Sequence, residues 1–157
     1  MSPAMPIRST LSKLAGLVAP VTRGMTLGVR GACFDGNGRI FLVRHSYMPG
    51  WYMPGGGVER GESTIEALER ELCEEGGIVL DAPAELFAVY WNMKRRRDHV
   101  LLFVARRISR PDPPAYPNHE IVEADFFDPD SLPAETSPAT RRRIAEVLTG
   151  SPADRHW

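Results

Sequence analysis

Between Gly56 and Ile78 the chain carries a pattern that leaves little freedom: Gly56, Glu62, Arg70, Glu71, Leu72, Glu74, Glu75, Gly77 and Ile78 stand at fixed intervals. The middle of this window reads as a helix that starts near Glu62 or Ser63 and runs to Glu75. It stops at Gly76-Gly77, where the second glycine can take the left-handed conformation that closes helices. At about 100° per residue, Glu71, Glu74 and Glu75 share an arc of roughly 100°, while Ile65, Leu68 and Leu72 form a separate apolar stripe. The helix is expected to bury one stripe and to line a site with the other. Ala67 projects between Glu71 and Glu74 one turn earlier, where its small side chain leaves room for a ligand. Glu62, Glu66 and Glu69 fall on the opposite face and are expected in solvent, with Glu66 and Arg70 at a supporting (i, i+4) spacing.

Three carboxylates on one arc repel, each like-charge pair costing about 0.2–0.5 kcal/mol, and the helix C-terminus makes this worse. Something cationic should offset them. Hard oxygen ligands in this number suit Mg²⁺ or Mn²⁺. An isolated E-x-x-E-E run would more often be a solvated acidic face; within the full pattern from Gly56 to Ile78 the odds are reversed.

Elsewhere, Met25 to Cys33 reads as a strand, Asp35-Gly36-Asn37-Gly38 as a turn, and Ile40 to Val43 as the returning strand of a hairpin. Glu85–Asn92 and 99–108 suggest a second hairpin around the charged tip 93–98. Four prolines between Pro111 and Pro117 make a stiff loop before a short strand, Ile121 to Phe127. Ser137 and Pro138 then open a helix to about Leu148, with Ile144, Val147 and Leu148 inward. The order β-β-α-β-β-β-α implies an α/β fold of the mixed-sheet (α+β) kind, with helices covering the sheet. Residues 1–24 are expected as an extension with a short helix, whose Leu11, Leu14, Leu17 and Val18 pack on the domain or on a second subunit in a homodimer. The domain proper spans 25–148, and 149–157 are expected as a frayed tail.

At 157 residues the chain fits one domain, and a formal net charge of −1 lacks the basic excess of a dedicated nucleic-acid binder. The apolar stretch Leu14 to Val21 is too short and too broken by Gly16 and Pro20 to span a membrane. Cys33 and Cys73 form no C-x-x-C or metal-ligand spacing and read as buried, reduced thiols of a cytoplasmic protein.

The Gly56–Ile78 window resembles the signature of the Nudix hydrolase family at every defined position, and the lead-in Trp51-Tyr52-Met53-Pro54-Gly55-Gly56 resembles the family's as well. With each fixed residue type near ~5–7% of positions, the seven Gly, Glu and Arg matches would arise by chance on the order of once in 10⁸ starting points. The resemblance implies an α/β/α sandwich and hydrolysis, by water attack at phosphorus, of a phosphoanhydride in a nucleoside diphosphate linked to another group. It implies Glu71, Glu74 and Glu75 as metal ligands, joined by a backbone carbonyl near Gly55 or Gly56, with Arg70 orienting Glu71 or Glu75. The general base is not fixed by the signature; Glu120 is the candidate and His119 the second choice. For a small nucleotide substrate, Arg44 could touch a phosphate and Trp51 or Tyr52 stack on a base near Gly55 and Gly56, or these side chains could pair on the surface and fill the core. The basic segments 94–97 and 141–143 read as solvated surface. A non-catalytic nucleotide sensor and an RNA 5′-end pyrophosphohydrolase are the alternatives, and retention of all the motif glutamates argues against the sensor.

Overall fold

The computed structural model describes residues 24–95 and 98–157. The helix expected before Met25 and the tip residues Arg96 and Arg97 lie outside them. In chain order the elements are β1 (Thr26–Cys33), β2 (Ile40–His45), α1 (Thr64–Gly76), β3 (Val79–Leu80), β4 (Glu85–Asn92), β5 (Asp98–Ala105), β6 (Ile108–Ser109), β7 (Ile121–Phe127), a 3-10 turn (Pro129–Ser131) and α2 (Pro138–Thr149). No helix among the described residues is long and apolar enough to cross a membrane.

The first expected hairpin does not form. The turn itself is built, with Asp35 accepting from the Asn37 and Arg39 amides at 2.9 Å, but β1 and β2 part company after one bridge between Phe34 and Ile40. β1 runs parallel to β5 from Thr26–Asp98 to Cys33–Ala105, and β2 pairs antiparallel with β7. Turn chemistry is local, whereas the choice of partner strand depends on segments some seventy to ninety residues away. The second hairpin forms as expected, β4 antiparallel to β5, giving a three-stranded sheet of order β1-β5-β4. The run expected to continue to Ile108 instead breaks after Ala105, and β6 pairs with β3.

Strand periodicity then sorts side chains into two cores. Val29, Cys33, Phe41, Val43 and Phe103 meet Leu68 and Leu72 of α1, while Ala32, Phe34, Ile40, Leu42 and Leu102 meet Ile144 and Val147 of α2. Helices on both faces make the expected α/β/α sandwich. At the first interface α1 lies so close that a Cβ on Gly31 would meet Leu72 at 3.0 Å and Leu68 at 3.3 Å.

In α2 the caps are as expected, with Ser137 accepting from the Thr140 amide, Pro138 in the first turn and Gly150 closing the helix. Leu148, however, is 52% exposed, because Ile144 and Val147 define the inner stripe and the next residue rotates about 100° away. Arg143, expected in solvent, is wholly buried. It bonds Glu146 at 2.8 Å, lies 4.3 Å over the Tyr90 ring and donates to the His156 carbonyl. Of the stretch 149–157, expected as a frayed tail, the end lies along the open edge of β4: Trp91 donates to the Arg155 carbonyl, Trp157 donates to the Trp91 carbonyl, and the Trp157 ring packs edge-on against Tyr90. An unpaired strand edge supplies the partner groups that order it.

Candidate metal and catalytic centre

The site begins where residues 54–58 lie along the free edge of β1. Gly31 donates to the Pro54 carbonyl, Val29 to the Gly56 carbonyl and Val58 to the Leu27 carbonyl, at 2.8–2.9 Å. Gly55 has φ +141°, and a Cβ there would lie 2.9 Å from Arg30 Cα with the Val29 carbonyl oxygen nearer still, so only glycine fits. This turn aims the Gly55 N–H at Glu75, whose Oε2 accepts it at 2.9 Å. Arg30 reaches the same loop from β1 and donates to the Met53 and Gly55 carbonyls.

α1 supplies the carboxylates. Its capping box is complete: Ser63 accepts from the Glu66 amide, and Glu66 accepts from the Ser63 amide at 2.8 Å. Glu66 thus closes the helix N-terminus rather than standing free in solvent. Glu62, also expected in solvent, precedes the helix and grips Arg70 through two hydrogen bonds of 2.8 and 3.0 Å. So anchored, Arg70 donates to Glu71 at 2.7 Å, to the Gly57 carbonyl at 3.1 Å and, more distantly, to Glu74 at 3.5 Å. Of the two expected orientation partners it holds Glu71. The Glu71 carboxylate nests against Gly56, where a Cβ would stand 2.6 Å from its Cδ.

The three glutamates sharing an arc are not equivalent. Glu74 is 57% exposed, Glu71 13% and Glu75 2%. Burial raises the Glu71 carboxyl despite the opposing pull of Arg70, and burial pushes Glu75 up to about 8. The helix end is compensated at the backbone: Tyr116 donates to the Glu75 carbonyl at 2.5 Å and Arg110 to the Gly76 carbonyl at 2.6 Å, supplying cationic charge where the dipole is negative. Gly77, at φ +63°, caps the helix beneath the proline-rich loop.

Glu120 enters from that loop's far end. With His45 and Glu75 it forms a group whose ligand atoms all lie within 4.8 Å of one another. His45 Nε2 stands 3.8 Å from Glu75 Oε1, too far for a hydrogen bond, and burial pushes the imidazole down to about 4. Burial therefore drives both partners towards their neutral forms. A divalent cation among these oxygens would favour the carboxylate forms, and the donor set suits one.

The residues expected to bind substrate lie in different settings. Arg44 pairs with Glu123 at 2.9 Å on the β2–β7 ladder and lies 5.8 Å from the Trp51 ring centre. Trp51 is in the core, edge-on to Phe127. Tyr52 is half-buried and donates to the Pro49 carbonyl at 2.6 Å. The Gly55 carbonyl accepts from Arg30 and the Gly56 carbonyl from Val29, each keeping a second lone pair. His119 is exposed, and its backbone carbonyl accepts from Ser46. The sequence reading missed His45, Arg30 and Tyr47. The first two interrupt apolar strand runs, the one available signal; Tyr47 is 69% exposed beside His45 at the rim of a cavity of about 480 Å³. Both thiols are free, but Cys73 is exposed rather than buried.

The profile of the NUDIX domain matches residues 25–148. A Bacillus subtilis protein named "Putative 8-oxo-dGTP diphosphatase" is 31% identical over 115 residues, 72% of this chain and 73% of that one. An RNA pyrophosphohydrolase of Dinoroseobacter shibae is 44% identical over 50 residues, so the chain spans only 31% of that relative's length, using 31% of its own. Among solved structures, a MutT NUDIX hydrolase from Burkholderia pseudomallei superposes with a TM-score of 0.68 at 27% identity, covering 79% of this chain and 98% of that one. The chain belongs to the Nudix hydrolase family.

Proposed function

We propose that the protein is a Mg²⁺- or Mn²⁺-dependent pyrophosphohydrolase acting in the cytoplasm on a small nucleotide, a nucleoside diphosphate esterified or anhydride-linked to a further group. The observation that carries this is the Gly55-Gly56 turn, which holds Glu75 through the Gly55 N–H and nests Glu71 against Gly56, with Glu120 grouped beside Glu75 and Arg70 bonded to Glu71 and more distantly to Glu74. Glu71, Glu74 and Glu75 would hold the cation, with the Gly55 carbonyl near them. Bound there, it would neutralise the diphosphate and lower the pKa of an attacking water. Arg70, fixed by Glu62, keeps Glu71 in one rotamer as charge builds on the phosphate oxygens. Gly55 N–H holds one Glu75 oxygen and leaves the other facing Glu120 and His45. Glu120 accepts the proton of the attacking water, and the P–O bond to the leaving phosphate breaks. Tyr47, an exposed aromatic at the cavity rim, would supply a stacking face for the nucleobase.

A second reading, removal of pyrophosphate from an RNA 5′ end, is favoured by the 44% identity to the Dinoroseobacter enzyme. Product analysis separates the two. The panel is nucleoside triphosphates including 8-oxo-dGTP, ADP-ribose, nucleotide sugars, dinucleoside polyphosphates and 5′-triphosphorylated RNA, with Mg²⁺ or Mn²⁺ and Glu74→Gln as control. Metal-dependent cleavage of one class, abolished by the substitution, is expected; nucleotide binding without cleavage of any would overturn the hydrolase reading in favour of a sensor.

A further inference from the structure

His45 is the side chain in this centre whose chemistry the reading above leaves unused. It ends β2 just where the ladder with β7 shifts register between Arg44 and His45, so the bulge re-aims this side chain. Its side chain is 1% exposed, yet neither ring nitrogen has a hydrogen-bond partner. The Tyr47 and Tyr52 rings flank it, at centroid distances of 5.0 and 5.9 Å, and fix its plane without offering it a polar contact. It faces two carboxylates, Glu75 Oε1 at 3.8 Å and Glu120, the three groups lying within 4.8 Å of one another, with the Arg30 charge reaching both His45 and Glu75 from β1. Buried polar groups are almost always satisfied, and an orphaned imidazole turned towards two carboxylates has the arrangement of a ligand set.

We propose that His45 is a nitrogen ligand of a divalent cation held jointly with Glu75 and Glu120, deepening the metal-dependent reading on which it rests. Imidazole prefers Mn²⁺ and later transition ions to Mg²⁺, so this position biases the centre towards Mn²⁺. Glu120 needs to give only one oxygen to the set, which leaves its second oxygen for the water proton.

The test uses the full chain, stripped of metal and titrated with Mn²⁺ alone, read by pulsed electron paramagnetic resonance rather than by turnover. Bound Mn²⁺ is expected to show the coupling of a directly bonded ¹⁴N, replaced by a ¹⁵N pattern when the protein carries ¹⁵N-histidine. His45→Asn is expected to abolish the coupling and to weaken Mn²⁺ binding at least tenfold, the lower end of what disturbing even outer-sphere partners costs. His45→Gln serves if the asparagine variant does not fold. Bound Mn²⁺ without nitrogen coupling in the unaltered protein would overturn the assignment whatever the variants do, as would coupling that survives in His45→Asn. Those results would leave the hydrolase reading standing, whereas failure of the protein to bind Mn²⁺ at all would remove both.

Discussion

Three consecutive glycines should respond to alanine in three different ways. At Gly56 a Cβ would lie 2.6 Å from Glu71 Cδ, so the carboxylate must retreat by about 1 Å to reach ordinary van der Waals distance. It cannot do so and keep its 2.7 Å bond to Arg70. A charge-assisted hydrogen bond is worth roughly 1.5–3 kcal/mol, less here because Arg70 is a quarter exposed. Removing a glycine returns about 0.4–1 kcal/mol through the unfolded chain. The net loss for Gly56→Ala is therefore on the order of 1 kcal/mol, a melting shift of roughly 2–4 °C for a chain of this size. Activity should suffer far more, since a misplacement of about 1 Å in a reacting centre can cost ~10²-fold. Gly57→Ala meets nothing within 4 Å and should change stability by less than about 0.5 kcal/mol, with activity intact. Gly55→Ala meets the β1 backbone at φ +141° and should not fold. Calorimetry and kcat on the best substrate of the panel measure all three. A folded Gly56→Ala retaining more than a third of wild-type kcat would refute the placement of Glu71 at the reacting centre.

Two further predictions concern stability. Arg143→Ala leaves the Glu146 carboxylate buried against Tyr90 without its cation and should cost ~3–5 kcal/mol in urea unfolding, with most of it recovered in Arg143→Met/Glu146→Leu; a loss below about 1 kcal/mol would show that the pair is not buried in solution. Arg70 holds the Glu62 carboxyl below its ordinary value of about 4.5, and the Ser63 amide does the same for Glu66. Depressed folded values mean that these contributions are present above about 4.5 and are lost as pH falls through the folded values. Unfolding measured across that range should show the stability gap between wild type and Glu62→Gln or Glu66→Gln narrowing with acid. A gap constant with pH would refute it.

Much of this protein was legible in its residue order because the relevant forces act over a few residues. The limits of α1 follow from Ser63, Glu66 and Gly77; the β4–β5 hairpin and the caps of α2 follow from turn and cap chemistry of the same short range. The motif likewise put Glu71, Glu74 and Glu75 on one helix face, since 3.6 residues per turn requires it. What tertiary structure alone decided is everything that depends on distant segments meeting. It sent β1 to β5 rather than to β2, buried Arg143 against Tyr90 and the C-terminal segment at His156, and made three glutamates of one arc unequal by covering Glu75 and leaving Glu74 in water. It also turned His45 and Glu120, seventy-five residues apart, towards the same carboxylate. A helical period fixes direction about an axis. Burial and charge depend on what packs against that direction, which no local pattern specifies.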